Sequence, residues 1–179
     1  MKLKNLISIV VVAIMCGLLF FGYSLYRKTF VSNTKFSQRS VYVTIPTNST
    51  HEDVKKILTP YVKDFELLDK VFQQVSYDQS YIPGRFLLTK GMSNYDIIQA
   101  LKTNNPVSLT FNNQETLAKL VSRISSQIEP DSISLMETFL EPKFLEENNF
   151  TKDDVLAMFV PNTYEFYWNT TALKVRNSL

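Results

Sequence analysis

Cys16 is the only cysteine and His51 the only histidine in 179 residues. Without a second cysteine there is no intramolecular disulfide and no cysteine-based metal cluster. A lone histidine likewise leaves zinc-type chemistry without a ligand set, so no metal and no cofactor is expected. The net charge is only +2 and no basic stripe accompanies it, which argues against nucleic acid as a partner. Hydrophobic residues at 45% and charged residues at 20% are the proportions of a globular chain, not a disordered one.

The first thirty residues are apolar where the rest is mixed. Lys2 and Lys4 precede an uncharged run from Leu6 to Tyr23, closed by Arg27 and Lys28. Eighteen helical residues span roughly 27 Å, close to the hydrocarbon thickness of a bilayer. No A-x-A-like cleavage site follows, since the run ends in "GYSLYRK". Met15 and Ile14 before Cys16 also disagree with a lipoprotein signal. The expectation is a permanent single-span anchor. Flanking charge barely distinguishes its two sides, but a large C-terminal domain behind such an anchor is usually translocated. The chain is therefore expected in the cytoplasmic (inner) membrane, with residues after the anchor extracytoplasmic or periplasmic.

Past a polar stretch at 29–40, one design occurs twice. Val41, Val43 and Ile45 alternate with Tyr42 and Thr44 as a strand should. Thr50 and Asp53 then have the spacing of a capped helix start, with Val54, Ile57, Leu58 and Tyr61 on one face. In the second copy Phe86 to Leu88 are strand, Gly91 offers a cheap positive-φ turn, and Ser93 with Asp96 form the cap pair before Ile97, Ala100 and Leu101. The cap pairs are offset by 43 residues, as are the apolar positions behind them. Two strand–turn–helix units can bury their helices on one small sheet, and "VSLTF" (Val107 to Phe111) is expected to add a strand to it.

Beyond Phe111 the period becomes helical. Leu117, Leu120, Val121, Ile124 and Ile128 share a face that ends at Pro130. Leu135, Met136, Phe139 and Leu140 mark a second helix, Thr151 with Asp154 caps a third segment, and Thr171 begins a fourth that runs to Leu179. Residues 112–179 alone, about seventy residues, are at the low end of what sustains a core. This stretch is expected to be part of a larger domain.

Candidate chemistry is sparse. His51 lies in the first turn of a capped helix with no nucleophile to serve, so it reads as a solvated helix-start residue. The informative segment is "VPNTYEFYWNT", Val160 to Thr170. If it is extended, Tyr164, Phe166 and Trp168 face one way and Thr163, Glu165 and Tyr167 the other. Aromatic faces can stack on sugar rings and a carboxylic acid can protonate a glycosidic oxygen, which makes Glu165 the acid candidate on pattern. The competing reading makes the rings core and Glu165 an edge residue.

The chain resembles the endolytic murein transglycosylases of the YceG-like (MltG) type. The N-terminal anchor, "GRFLLTKGMSNYDIIQALKTN" in a LysM-like module, "SLTFNNQETLAKLVSRI", and "FVPNTYEFYWNT" occur in the family's order. The last is similar to the family's "F-P-D-T-Y-x-F" box and is the most specific. The resemblance implies non-hydrolytic cleavage between N-acetylmuramic acid and N-acetylglucosamine within nascent glycan strands, leaving 1,6-anhydromuramyl ends. A single glutamate is expected to act as acid and then base. The family carries that glutamate C-terminal to the box, in an "A-S-I-x-E-x-E-T"-like segment that this sequence does not contain. The catalytic residue is therefore expected C-terminal to Leu179, with none among residues 1–179.

By the same resemblance Pro161, Thr163, Tyr164 and Phe166 are the substrate-cleft candidates. Glu165 occupies the box's variable position and is the weak alternative acid. "NNQET" where relatives have an "E-G" pair, and Asn162 in place of Asp, depart from the pattern. The expected fold class is α+β. Residues 1–28 are a cytoplasmic tail and transmembrane anchor, 29–40 a linker, 41–111 the LysM-like module, and 112–179 the mostly helical, incomplete start of a transglycosylase domain. The expected partners are peptidoglycan glycan strands and the cell membrane, with peptidoglycan synthases as further candidates. As it stands the chain is expected to be inactive. The alternative is a non-catalytic, membrane-anchored peptidoglycan-binding or scaffold protein.

Overall fold

The computed structural model describes residues 3–75 and 81–179. Lys2, one of the two cations expected before the apolar run, lies outside the described residues. The first element is a long helix, α1 (Leu3–Phe30). From Ile9 to Phe30 it is long and apolar enough to cross a membrane, and its side chains there are not buried within the protein.

The paired units appear as the sequence indicates. Strand β1 (Ser40–Ile45) leads to α2 (His51–Leu58), and β2 (Gly84–Thr89) leads to α4 (Asn94–Ala100). Both helices open with a complete capping box: Thr50 and Ser93 accept from the backbones of Asp53 and Asp96, whose carboxylates accept in return. Each box satisfies two backbone donors that a helix start leaves free. The two strands pair antiparallel, Val43 against Phe86. Between the units stands α3 (Phe65–Val75), a helix not anticipated from the sequence, which adds Leu68, Val71 and Phe72 to the core. Phe86, Leu88, Ile97 and Ile98 are fully enclosed, and each such side chain contributes about 1.5–3 kcal/mol on leaving water.

Two features differ from expectation. Val107 to Phe111 do form a strand, β3 (Pro106–Phe111), but it does not join β1 and β2. It pairs antiparallel with β4 (Asn162–Tyr167), and Leu109 and Phe111 enter a separate second core. Burial decides this: the inner face of β3 meets aromatic partners on β4, whereas the β1–β2 face is already covered by α2, α3 and α4. The polar stretch after α1 is also no free linker. Asn33 and Thr34 are buried, and short bridges tie Ser32 to Ser93 and Thr34 to Val62.

The second core gathers α5 (Leu117–Ser125), α6 (Ser132–Phe139), α7 (Pro142–Glu147), a 3-10 turn at Val155–Met158 and α8 (Ala172–Arg176) around the β3–β4 strand pair. Thr116, Asp131 and Thr171 cap α5, α6 and α8 with their side chains. The short α7, not anticipated from the sequence, begins with Pro142 in its first turn, where a missing N–H costs nothing. The fourth helix is shorter than expected: α8 stops at Arg176, and Leu179 lies beyond it, partly buried against the second core.

The two cores meet at a polar joint. Asn104 donates to Asn169 Oδ1 at 3.0 Å, Arg85 bonds the Pro106 carbonyl, and Thr47 bonds Glu129. Gly84 is required here: its φ is +148°, and a Cβ would stand 2.5 Å from the Asn104 amide group. That amide also accepts from the Arg85 backbone at 3.0 Å, so a side chain at Gly84 would displace a residue serving both sides of the joint.

Candidate functional site

The aromatic segment is strand β4, and the alternation expected of it is present from Thr163 to Tyr167. Phe166 is buried and Tyr164 half-buried in the second core, while Thr163, Glu165 and Tyr167 are exposed on the outer face. Trp168 lies past the end of the strand, where alternation no longer governs it, and its carbonyl accepts from the Glu129 N–H at 2.8 Å.

The four box residues therefore divide by direction. Phe166 and Tyr164 continue an aromatic row with Phe111: ring centroids are 5.8 Å apart for Phe111–Tyr164 and 6.4 Å for Tyr164–Phe166, with near-parallel planes. The Tyr164 hydroxyl donates to the Val160 carbonyl at 2.8 Å, holding the turn into the strand. Pro161 sits at that turn and borders a cavity of about 220 Å³ that Phe111, Asn112, Gln114 and Phe159 also line. Thr163 faces outward, its hydroxyl 3.0 Å from that of Thr110 directly across the strand pair.

Glu165 stands opposite Ser108 on the outer face and is exposed. It is displaced from the cavity, which opens at the other end of the strand pair beside Phe111 and Pro161. Leu179, after which the catalytic residue is expected, returns to the box: its carbonyl lies 3.3 Å from the Tyr164 hydroxyl. The expected acid itself falls outside the described residues. Gln127 was not singled out from the sequence, yet it clamps β3 by accepting from Thr110 N at 3.0 Å and donating to Thr110 O at 3.1 Å. Its only sequence signal is a polar residue just before the buried Ile128.

His51 is less solitary than the sequence indicates. Its Nε2 lies 3.6 Å from Asp69 Oδ2, and its ring packs between Phe65 and Tyr81. Burial, and then the Asp69 charge, push the Tyr81 phenol above its ordinary range. The arrangement ties α2 to α3 and to the segment before β2. Among the described residues no three His, Cys, Asp or Glu side chains converge as a metal-binding group.

The YceG-like family profile matches residues 43–179. The chain belongs to the YceG-like family. A solved YceG-like protein from Listeria monocytogenes is 19% identical, with a TM-score of 0.38; the match covers 79% of this chain and 53% of that one. This chain thus spans about half the length of that solved relative. No curated protein matches.

Proposed function

We propose that this chain is a membrane-anchored portion of an endolytic peptidoglycan lytic transglycosylase of the MltG type. In this reading the whole protein cleaves MurNAc–GlcNAc bonds within nascent glycan strands and leaves 1,6-anhydromuramyl ends. The carrying observation is the family match over residues 43–179, which includes the box at Pro161, Thr163, Tyr164 and Phe166. Residues 1–28 anchor the chain, with the remainder on the extracytoplasmic side. The LysM-like module is residues 41–105, since β3 packs with the second core, and residues 106–179 open the catalytic domain.

Within that domain the β3–β4 strand pair is one wall of the glycan cleft. Pro161 and Thr163 present its surface, while Tyr164 and Phe166 stiffen it from the core side. Glu165 is scaffold. The acid–base glutamate belongs to the segment the family carries C-terminal to the box, past Leu179 in this numbering, so residues 1–179 alone bind glycan without cleaving it. This arrangement needs no cofactor, because one carboxyl group that first donates and then accepts a proton suffices.

The test uses uncrosslinked glycan strands and mass spectrometry of the products. The chain of residues 1–179 should retain strands and release no anhydromuramyl ends, whereas the protein isolated from native membranes should release them. Anhydro products from residues 1–179 that vanish with Glu165→Gln would move the acid onto β4. Strand retention with no anhydro products from the native protein would favour the non-catalytic scaffold instead.

A further inference from the structure

We propose that the cavity where α1 meets the first module binds one anionic phospholipid. Its phosphate lies against Arg27 and Lys28, and an acyl chain runs along Phe20 and Tyr23. This rests on the membrane-anchored reading above and adds to it a specific lipid site.

The cavity has a volume of about 380 Å³, within the range of roughly 300–1,000 Å³ typical of ligand sites. Its α1 wall is one helical stripe, Phe20, Tyr23, Ser24, Arg27 and Lys28, continued by Val31 just past the helix end. Chemistry changes along that stripe as it does through a bilayer leaflet: a phenyl ring, a tyrosine at interfacial depth, then two cations. The uncharged run ends at Tyr23, so Arg27 and Lys28 stand roughly 6–8 Å farther along the axis, at headgroup level. Among the described residues neither cation is paired with a carboxylate.

The opposite wall comes from the folded module, through Leu67 of α3 and Asn94 of α4. It is held in place by buried amides: Asn94 donates to the Lys28 carbonyl at 2.6 Å, and Asn33 donates to Asn94 Oδ1 at 2.6 Å. Phe30 packs on Tyr95 at 5.8 Å, closing the same junction. The end of the anchor is thus fixed to the module, and the space between them is preformed. An apolar lower half with two unpaired cations above matches a diacyl lipid with a net negative headgroup.

The full chain in detergent would be titrated with phosphatidylglycerol and with phosphatidylcholine and read by native mass spectrometry. In parallel, its flotation with phosphatidylcholine vesicles would be measured. Expected are flotation, retention of one phosphatidylglycerol in preference to phosphatidylcholine, and a drop of about tenfold in that retention for the double variant Arg27→Gln, Lys28→Gln. The control pair Lys119→Gln, Lys174→Gln should leave retention unchanged. Equal retention of the two lipids, or equal loss in both double variants, would overturn the lipid site while flotation upheld the anchor. Displacement of phosphatidylglycerol by an equal concentration of inorganic phosphate would also overturn it, leaving a simple anion site. Failure to float would overturn anchor and lipid site together.

Discussion

Glu129 holds Thr47 across the joint between the two cores, 82 positions apart in the chain. The Thr47 backbone N–H and hydroxyl both donate to its carboxylate, at 2.5 and 2.6 Å. The Glu129 N–H in turn donates to the Trp168 carbonyl at the end of the box strand. One residue therefore links the β1–α2 loop to β4. The contact is exposed, so its value is in fixing orientation more than in stability.

Glu129→Ala should accordingly lower global stability by no more than about 1 kcal/mol, while hydrogen exchange at the Thr47 amide accelerates markedly. Unchanged protection at Thr47 would show that the joint is held by other contacts.

The Asn33–Asn94 pair should behave differently because it is buried. Asn33 also donates to the Asp64 carbonyl and accepts from the Asp64 N–H. Asn33→Ala strands the Asp64 N–H and Asn94 Oδ1, while the Asp64 carbonyl keeps the Leu68 N–H, at about 1–3 kcal/mol per group left unpaired. The prediction is a loss of at least about 2 kcal/mol by denaturant titration, with proteolytic sensitivity appearing near residues 31–36. A loss below half of that would mean that water replaces the amide.

Acid sensitivity should come from the helix caps. The Asp131 carboxyl is held below its ordinary range by the Ser134 N–H, and that of Asp154 by the Thr151 N–H. A depressed folded-state value stabilises above the unfolded carboxylate range of about 4 and is lost as pH falls through the folded value. Stability should thus decline below about pH 4. Asp131→Asn, which keeps a competent cap, should match wild type at neutral pH and show a shallower acid limb. An identical acid limb would remove Asp131 from the account.

The box itself offers a contrast between neighbours. Phe166→Ala empties a buried site in the second core and should cost about 3–5 kcal/mol. Glu165→Gln on the exposed face should change stability by less than about 0.5 kcal/mol and leave glycan retention intact. Thermal denaturation and strand pull-down together test both, and a large loss of retention with Glu165→Gln would return that carboxylate to the site.

What the sequence determined by itself is what acts within a few residues. The capping boxes at Thr50–Asp53 and Ser93–Asp96, the turn at Gly91, the β4 alternation and the apolar run of α1 all rest on local hydrogen bonds or local periodicity. Even α3 has such a trace in Asp64, whose carboxylate accepts from the Leu67 N–H. Tertiary structure alone decided the partner of β3. A strand displays the same unpaired edge to any neighbour, and only burial of Leu109 and Phe111 beside Tyr164 and Phe166 selected β4, more than fifty positions away. The same holds for the direction each box residue faces relative to the cavity, for the approach of Leu179 to Tyr164, for the Glu129–Thr47 contact, and for the placement of the exposed Arg27 and Lys28 beside Asn94. Each depends on segments distant in sequence coming together, and no local pattern encodes that choice.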